Sequence, residues 1–322
     1  MGISREATIL VDGIAIPRLA FGLGSLMKWA PNHAYPLPTD SSKEVAQALK
    51  AGFGHINTGD IYTNNESAAE SIKASGIARK DLFFSLKLNT YAALGCKGKD
   101  SMVESTKKEI DRFGLQGYVD LLQLHFPPRG HPGNLTNREA WRVLEELKDL
   151  KMARIIGLSN WTLKDYEDIM DAPDLKYKPQ VNEYELNPFL LFDPALRDRH
   201  FYEMKQGIVH MNYGFLSVLS GKLPRDRAPA LLKELELLSD ETSLTEAELL
   251  LSWAYDCLHG IVISSSSRED RLVGLAKLFI GDDKVPLQRS IYDRIEKAAK
   301  EDGYEGKSFY KHGHMDAAAT GK

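Results

Sequence analysis

The sequence predicts a closed barrel of eight parallel strands, each followed by a helix, and three observations carry that prediction. Short apolar runs and helical patterns alternate along the chain in eight units, most of them about 30 residues apart, the spacing of a right-handed crossover between parallel strands. The apolar runs show little alternation with polar residues, as expected of strands buried on both faces. Three polar side chains, Tyr62, Lys87 and His125, stand at or just past the ends of successive runs, the place where such a barrel carries its active site. Eight units in 322 residues fit a closed (β/α)8 barrel better than an open doubly wound sheet. Gly22-Leu23-Gly24 points the same way, since it lacks the third glycine of a dinucleotide-binding turn and opens a loop rather than a helix.

In chain order, an Asp12-Gly13 pair between apolar runs at 8–11 and 14–16 predicts a hairpin that caps one end of the domain. A strand at 19–24 follows, with glycines that let another group approach the backbone closely. A polar, proline-bearing loop spans 25–39, and a helix runs from 40–42 to about 50. Strands at 55–58, 82–88, 119–125, 154–158 and 180–184 are followed by helices at 66–74, 101–113, 138–150, 163–170 and within 194–205. Strand 208–213 leads to two helices, at 229–238 and 246–257, and strand 260–264 to a helix at 269–279. Residues 1–322 read as one barrel domain, with 302–322 a polar, glycine-bearing tail that either folds over the site as a substrate lid or has no fixed structure.

Hydrophobic residues make up 43% of the chain and charged residues 27%, ordinary values for a globular protein that can bury its core without staples. Lys and Arg number 41 against 45 Asp and Glu, a balance that gives no electrostatic footprint for nucleic acid or an acidic membrane, so neither partner is expected. The two cysteines, Cys96 and Cys257, have no metal-ligand spacing and suggest neither a disulfide framework nor a metal site. No apolar run reads as a signal peptide or a membrane span, and Glu6 stands where N-myristoylation requires Ser or Thr. A reducing, cytoplasmic location is the expectation.

The run Gly52-Phe53-Gly54-His55-Ile56-Asn57-Thr58-Gly59-Asp60-Ile61-Tyr62 resembles the aldo-keto reductase signature, and Leu121-Leu122-Gln123-Leu124-His125-Phe126-Pro127 resembles the histidine motif of that family. Ile156-Gly157-Leu158-Ser159-Asn160-Trp161 and Pro179-Gln180-Val181-Asn182-Glu183-Tyr184-Glu185-Leu186-Asn187-Pro188 are similar to its cofactor motifs. The resemblance runs from the hairpin to the last barrel helix. It implies NADPH-dependent reduction of a small-molecule carbonyl to an alcohol by a monomeric barrel. Hydride delivered to a carbonyl carbon leaves charge on the oxygen, so a donor must be aimed there. The resemblance makes Tyr62 that acid. A free phenol titrates near pH ~10, and a neighbouring ammonium, here Lys87, favours the phenolate. A neutral His125 would orient the carbonyl.

Two positions depart from the family. Asn57 stands where an aspartate normally pairs with the lysine; it can accept a hydrogen bond from Lys87 but cannot neutralise it. The missing Coulomb attraction is on the order of 4 kcal/mol at ~4 Å and an effective dielectric near 20. Lys87 is then either a stronger perturber of Tyr62 or partly deprotonated, and Asp60 is the nearest substitute partner in sequence. Glu183 stands where a glutamine commonly holds the nicotinamide carboxamide together with Ser159 and Asn160, so one carboxylate has been lost and one gained. An ionised Glu183 beside the ring would favour oxidised nicotinamide and promote hydride donation.

Tyr213 matches the aromatic residue on which the nicotinamide stacks. The stretch from Ile263 to Arg271 falls where the family binds the 2′-phosphate of NADPH; Ser265 replaces the usual lysine, beside Ser266, with Arg268 and Arg271 at the start of a helix. Trp29, Tyr35, Phe126, Trp161, and Phe309 or Tyr310 are candidates to line an apolar substrate pocket, and the long first loop suits a bulky substrate. A second reading keeps the fold and nucleotide but turns the site to non-redox work, as an isomerase, a cyclase or a nucleotide-sensing subunit, because Asn57 removes a carboxylate from beside Lys87.

Overall fold

The computed structural model describes residues 7–28, 37–281, 284 and 286–308. A hairpin of β1 (Thr8–Val11) and β2 (Ile14–Pro17) turns on Asp12 and Gly13, both at positive φ. The barrel strands are β3 (Leu19–Gly22), β4 (His55–Gly59), β5 (Phe83–Leu88), β6 (Val119–Leu124), β7 (Ala153–Ser159), β8 (Val181–Glu185), β9 (Val209–Tyr213) and β10 (Ile261–Ser264). They pair in parallel in chain order, and β10 pairs with β3 to close the ring, as the sequence predicts.

Helices α1 (Ser42–Lys50), α2 (Asn65–Ser75), α3 (Lys99–Phe113), α4 (Asn137–Asp149), α5 (Leu163–Met170) and α6 (Pro194–Gln206) follow the first six strands. After β9 come α7 (Pro229–Thr242) and α8 (Glu246–Leu258), and after β10 comes α9 (Glu269–Phe279). A further helix, α10 (Arg289–Asp302), lies outside the eight units that the sequence predicts. Its apolar face is narrow: Tyr292, Ile295, Ala298 and Ala299 are buried, and Arg294 reaches Glu241 of α7 at 2.6 Å and 2.9 Å.

The missing alternation in the strands has a direct cause. Phe84, Leu86, Leu88, Leu122, Leu124, Ile156 and Leu158 face the helices in one core. Phe83, Leu121, Ile155, Val181, Met211, Ile261 and Ile263 form a second, inner core with Val11 and Ile16 of the hairpin. The pleat still sends alternate residues to opposite faces, but both faces are apolar. The hairpin therefore plugs the amino-terminal end of the lumen. Further along the strands the inward residues turn polar. His55 Nε2 bonds Ser85 Oγ at 2.6 Å and its Nδ1 bonds the Pro17 carbonyl at 2.9 Å. Above that layer lie Asn57, Lys87 and Glu183.

Candidate active site

Tyr62, Lys87 and His125 come together at the carboxyl end of β4, β5 and β6. Tyr62 sits on a turn whose Asp60 N–H donates to the Lys87 carbonyl at 2.9 Å and whose Tyr62 N–H donates to the Gly59 carbonyl at 3.0 Å. The Lys87 ammonium lies 5.5 Å from the centre of the Tyr62 ring. The Tyr62 and His125 rings meet edge to face at 5.7 Å. Two glycines make this approach possible. A Cβ at Gly24 would lie 2.8 Å from Tyr62 Oη, and one at Gly59 would lie 3.0 Å from His125 Cε1.

Beneath the phenol, Lys87 is enclosed, 1% exposed. Its ammonium donates to Asn57 Oδ1 at 2.6 Å and meets Glu183 Oε1 at 3.1 Å and Oε2 at 3.3 Å. Asn57 Nδ2 in turn donates to Glu183 Oε2 at 2.8 Å. The carboxylate absent from position 57 is thus present from another strand. Asp60, the nearest candidate in sequence, does not pair with Lys87. Its oxygens accept from the Asn89 N–H at 2.9 Å and Ser105 Oγ at 2.7 Å, and burial pushes its carboxyl up to about 6.

The surroundings set the protonation states. Burial first, then the charges of Glu183 and Asp60, hold the Tyr62 phenol above its usual range, so the expected bias towards phenolate does not appear. Burial likewise pulls Lys87 down while Glu183 opposes it. Burial and the nearby Lys87 charge hold His125 well below its usual value, so its imidazole is neutral at pH 7. His125 Nδ1 is buried with no hydrogen-bond partner among the described residues. The ring lies flat against Phe126, 4.2 Å between centres, and Phe126 stacks on Tyr91 at 5.2 Å.

Ser159, Asn160 and Tyr213 form a connected group at the ends of β7 and β9. Asn160 adopts positive φ, its N–H donates to the Glu183 carbonyl at 2.7 Å, and its Nδ2 donates to Ser159 Oγ and the His125 carbonyl, both at 3.1 Å. Tyr213 Oη donates to Asn160 Oδ1 at 2.7 Å. After β10, Ser265 Oγ bonds Ser25 Oγ of the first loop, and Ser266 Oγ accepts the Arg268 N–H at 3.1 Å. Arg268 and Arg271 are exposed at the start of α9, where Arg268 Nε bonds Asp270 at 3.1 Å.

The expected pocket wall is corrected in part. Trp161 is 0% exposed and belongs to the helix-facing core, so it has no surface for a substrate. Phe126 is also buried and backs His125. Trp29, Tyr35, Phe309 and Tyr310 lie outside the described residues. The tail that is described docks on the end of β8, where Ser308 Oγ donates to Glu185 at 2.5 Å and Asn187 Nδ2 donates to the Lys307 carbonyl at 3.2 Å.

Sequence reading missed a group that braces the strand end before Tyr62. Asn65 Nδ2 donates to the Gly59 carbonyl at 2.9 Å and to Glu109 Oε2 at 3.0 Å, while Thr58 Oγ1 donates to Asn65 Oδ1 at 2.6 Å. Glu109 was detectable, because it shares a helix face with Met102, Thr106, Ile110 and Phe113, and a carboxylate on a buried face needs a partner.

Residues 18–300 match the profile of the Aldo/keto reductase family. A glyoxal reductase of Bacillus subtilis is 29% identical over 92% of this chain and 94% of its own. A glycerol 2-dehydrogenase (NADP(+)) of Saccharomyces cerevisiae is 25% identical over 93% of each chain. The crystal structure of an aldo/keto reductase from Brucella melitensis superposes with a TM-score of 0.69, at 26% identity over 90% of this chain and 98% of that one. With the fold, the motifs and the profile in agreement, the chain belongs to the aldo/keto reductase family of oxidoreductases.

Proposed function

We propose that the protein reduces an aldehyde or ketone to an alcohol with NADPH. The observation that carries this reading is the convergence of the Tyr62 phenol, the Lys87 ammonium and the neutral His125 imidazole at the carboxyl end of three neighbouring strands. The names of the Bacillus and yeast relatives support a carbonyl–alcohol reaction and a phosphorylated nicotinamide nucleotide.

The residues present fit that nucleotide. Ser159 and the Asn160 amide match a carboxamide, Tyr213 offers an aromatic face, and the start of α9 sets a helix N-terminus beside the guanidinium groups of Arg268 and Arg271, a setting suited to a phosphate. Bound there, NADPH supplies the hydride. His125, neutral and buried, donates a hydrogen bond to the carbonyl oxygen and orients it. Tyr62, fully protonated at neutral pH, gives its proton to that oxygen as negative charge develops. The Lys87 ammonium then stabilises the phenolate left behind. A general acid placed in this way contributes about 10²–10⁴-fold.

The non-redox alternative drew on a Lys87 without a counter-ion; Glu183, 3.1 Å away, removes that ground. The test follows nicotinamide absorbance with a panel of aldehydes, ketones and dicarbonyls. Turnover that disappears in Tyr62→Phe supports the proposal, and tight NADPH binding with no oxidation on any carbonyl overturns it.

A further inference from the structure

We infer that Glu183 is the counter-ion and positioning residue of Lys87, held by Asn57 rather than committed to the cofactor, so that the charge balance of the proton donor is set across the barrel. In the closed strand order β8 lies three strands from β5 and four from β4, directly across the lumen. Among the described residues Glu183 is the only carboxylate that forms an ion pair with Lys87. All three side chains are nearly inaccessible, with Asn57 and Glu183 each 3% exposed.

The hydrogen-bond polarity of the trio makes the residue types interdependent. Asn57 presents its oxygen to the ammonium at 2.6 Å and its amide N–H to Glu183 at 2.8 Å. Reversing the amide would set its NH₂ against Lys87 and its oxygen against a carboxylate, two repulsive contacts. An aspartate at 57 beside Glu183 would face carboxylate with carboxylate at that same separation. A glutamine at 183 beside Asn57 would leave a buried ammonium with no anion. Exchanging the two, with aspartate at 57 and glutamine at 183, restores one anion for Lys87 and one amide N–H for the carboxylate. Only the native pair and the exchanged pair satisfy all three groups.

Glu183 acts through Lys87. With both carboxylate oxygens engaged by Lys87 and one also by Asn57, it holds the ammonium beneath the Tyr62 ring and keeps it charged against burial. Without it, Lys87 gives up its proton at lower pH and no longer supports the phenolate.

The test is a double-mutant cycle with Asn57→Asp, Glu183→Gln and the combined variant. Its kinetic half rests on the reductase reading, whereas melting of the protein without cofactor does not. Each single change is expected to lower the melting midpoint by roughly 5–10 °C and kcat on the order of 10²-fold. Glu183→Gln also moves the alkaline limb of the kcat profile to lower pH. The combined variant should return to within about 3 °C and about fivefold of the parent, a coupling that independent sites do not show. Additive losses in both readouts, or a combined variant that does not fold, would overturn the inference. Rescue of melting without rescue of kcat overturns the positioning role. If melting is rescued and the parent reduces no carbonyl, the reductase reading alone fails; if the parent is active and nothing is rescued, this inference alone fails.

Discussion

Two buried ion pairs lie towards opposite ends of this barrel, and they are built to opposite specifications. Near the amino-terminal end, Arg79 meets Asp120 at 2.7 Å, and the remaining N–H groups of its guanidinium donate to the carbonyls of Leu115, Leu82 and Tyr118. Asp120 is equally saturated, accepting also from the Phe84 N–H and Arg154, both at 2.8 Å. Near the carboxyl-terminal end, Lys87 has Glu183 and Asn57 but stands beside a phenol and an imidazole whose Nδ1 has no partner among the described residues. An arginine saturated by carbonyls cannot change its state, whereas a buried lysine shifts readily. The first pair closes a structure, whereas the second leaves an ammonium whose protonation depends on a single carboxylate. This matches the general division of barrels into a stability face and an active face.

The sharpest way to break that contrast is Tyr62→Phe. On the reductase reading kcat falls about 10³-fold with the melting midpoint unchanged, as steady-state rates and calorimetry will show. A comparable loss of stability would mean that the carboxyl-terminal cluster is structural after all. Next in size, Asp120→Ala should cost about 3–5 kcal/mol, the penalty for leaving a buried charge unpaired, as read by urea unfolding. The fraction that stays folded should keep kcat within about twofold.

His55 lies between the two pairs and senses both. Burial dominates and brings its imidazole down to about 4; the Pro17 carbonyl and then Asp120 oppose this, while Lys87 adds to it. Because the folded value is depressed, the unfolded chain takes up the proton first. This contribution to stability is complete above about pH 6.5 and is lost as pH falls towards the folded value. Asp60 and Glu109, pushed up by burial to about 6 and about 7, act in the opposite sense over part of that window, so the comparison with His55→Gln isolates the histidine. Between about pH 7.5 and about pH 5 the parent should lose about 2 kcal/mol relative to that variant. A constant difference would refute the assignment.

The smallest effect concerns a third pair, Arg268 with Asp270, which is exposed and so worth little in itself. That weakness leaves Arg268 able to exchange Asp270 for a phosphate. Arg268→Ala should weaken NADPH about tenfold more than NADH in fluorescence titrations, and equal losses would remove Arg268 from cofactor selection.

Much of this was legible in the linear chain. Apolar runs bounded by polar strand ends determined the barrel, the number of its units and the places of Tyr62, Lys87 and His125, because burial and strand geometry act on residues close together in sequence. The narrow apolar face of α10 was weaker than its charged surface. Trp161 could not be told from a pocket aromatic, since either role suits an aromatic residue just past a strand end. The identity of Lys87's partner was beyond sequence reasoning: Asp60 is nearer along the chain, but Glu183 is nearer in space. Local pattern specifies which elements form and which of their faces are buried. Only closure of the ring brings β8 opposite β4 and β5, and electrostatic attraction follows separation in space and burial rather than separation along the chain.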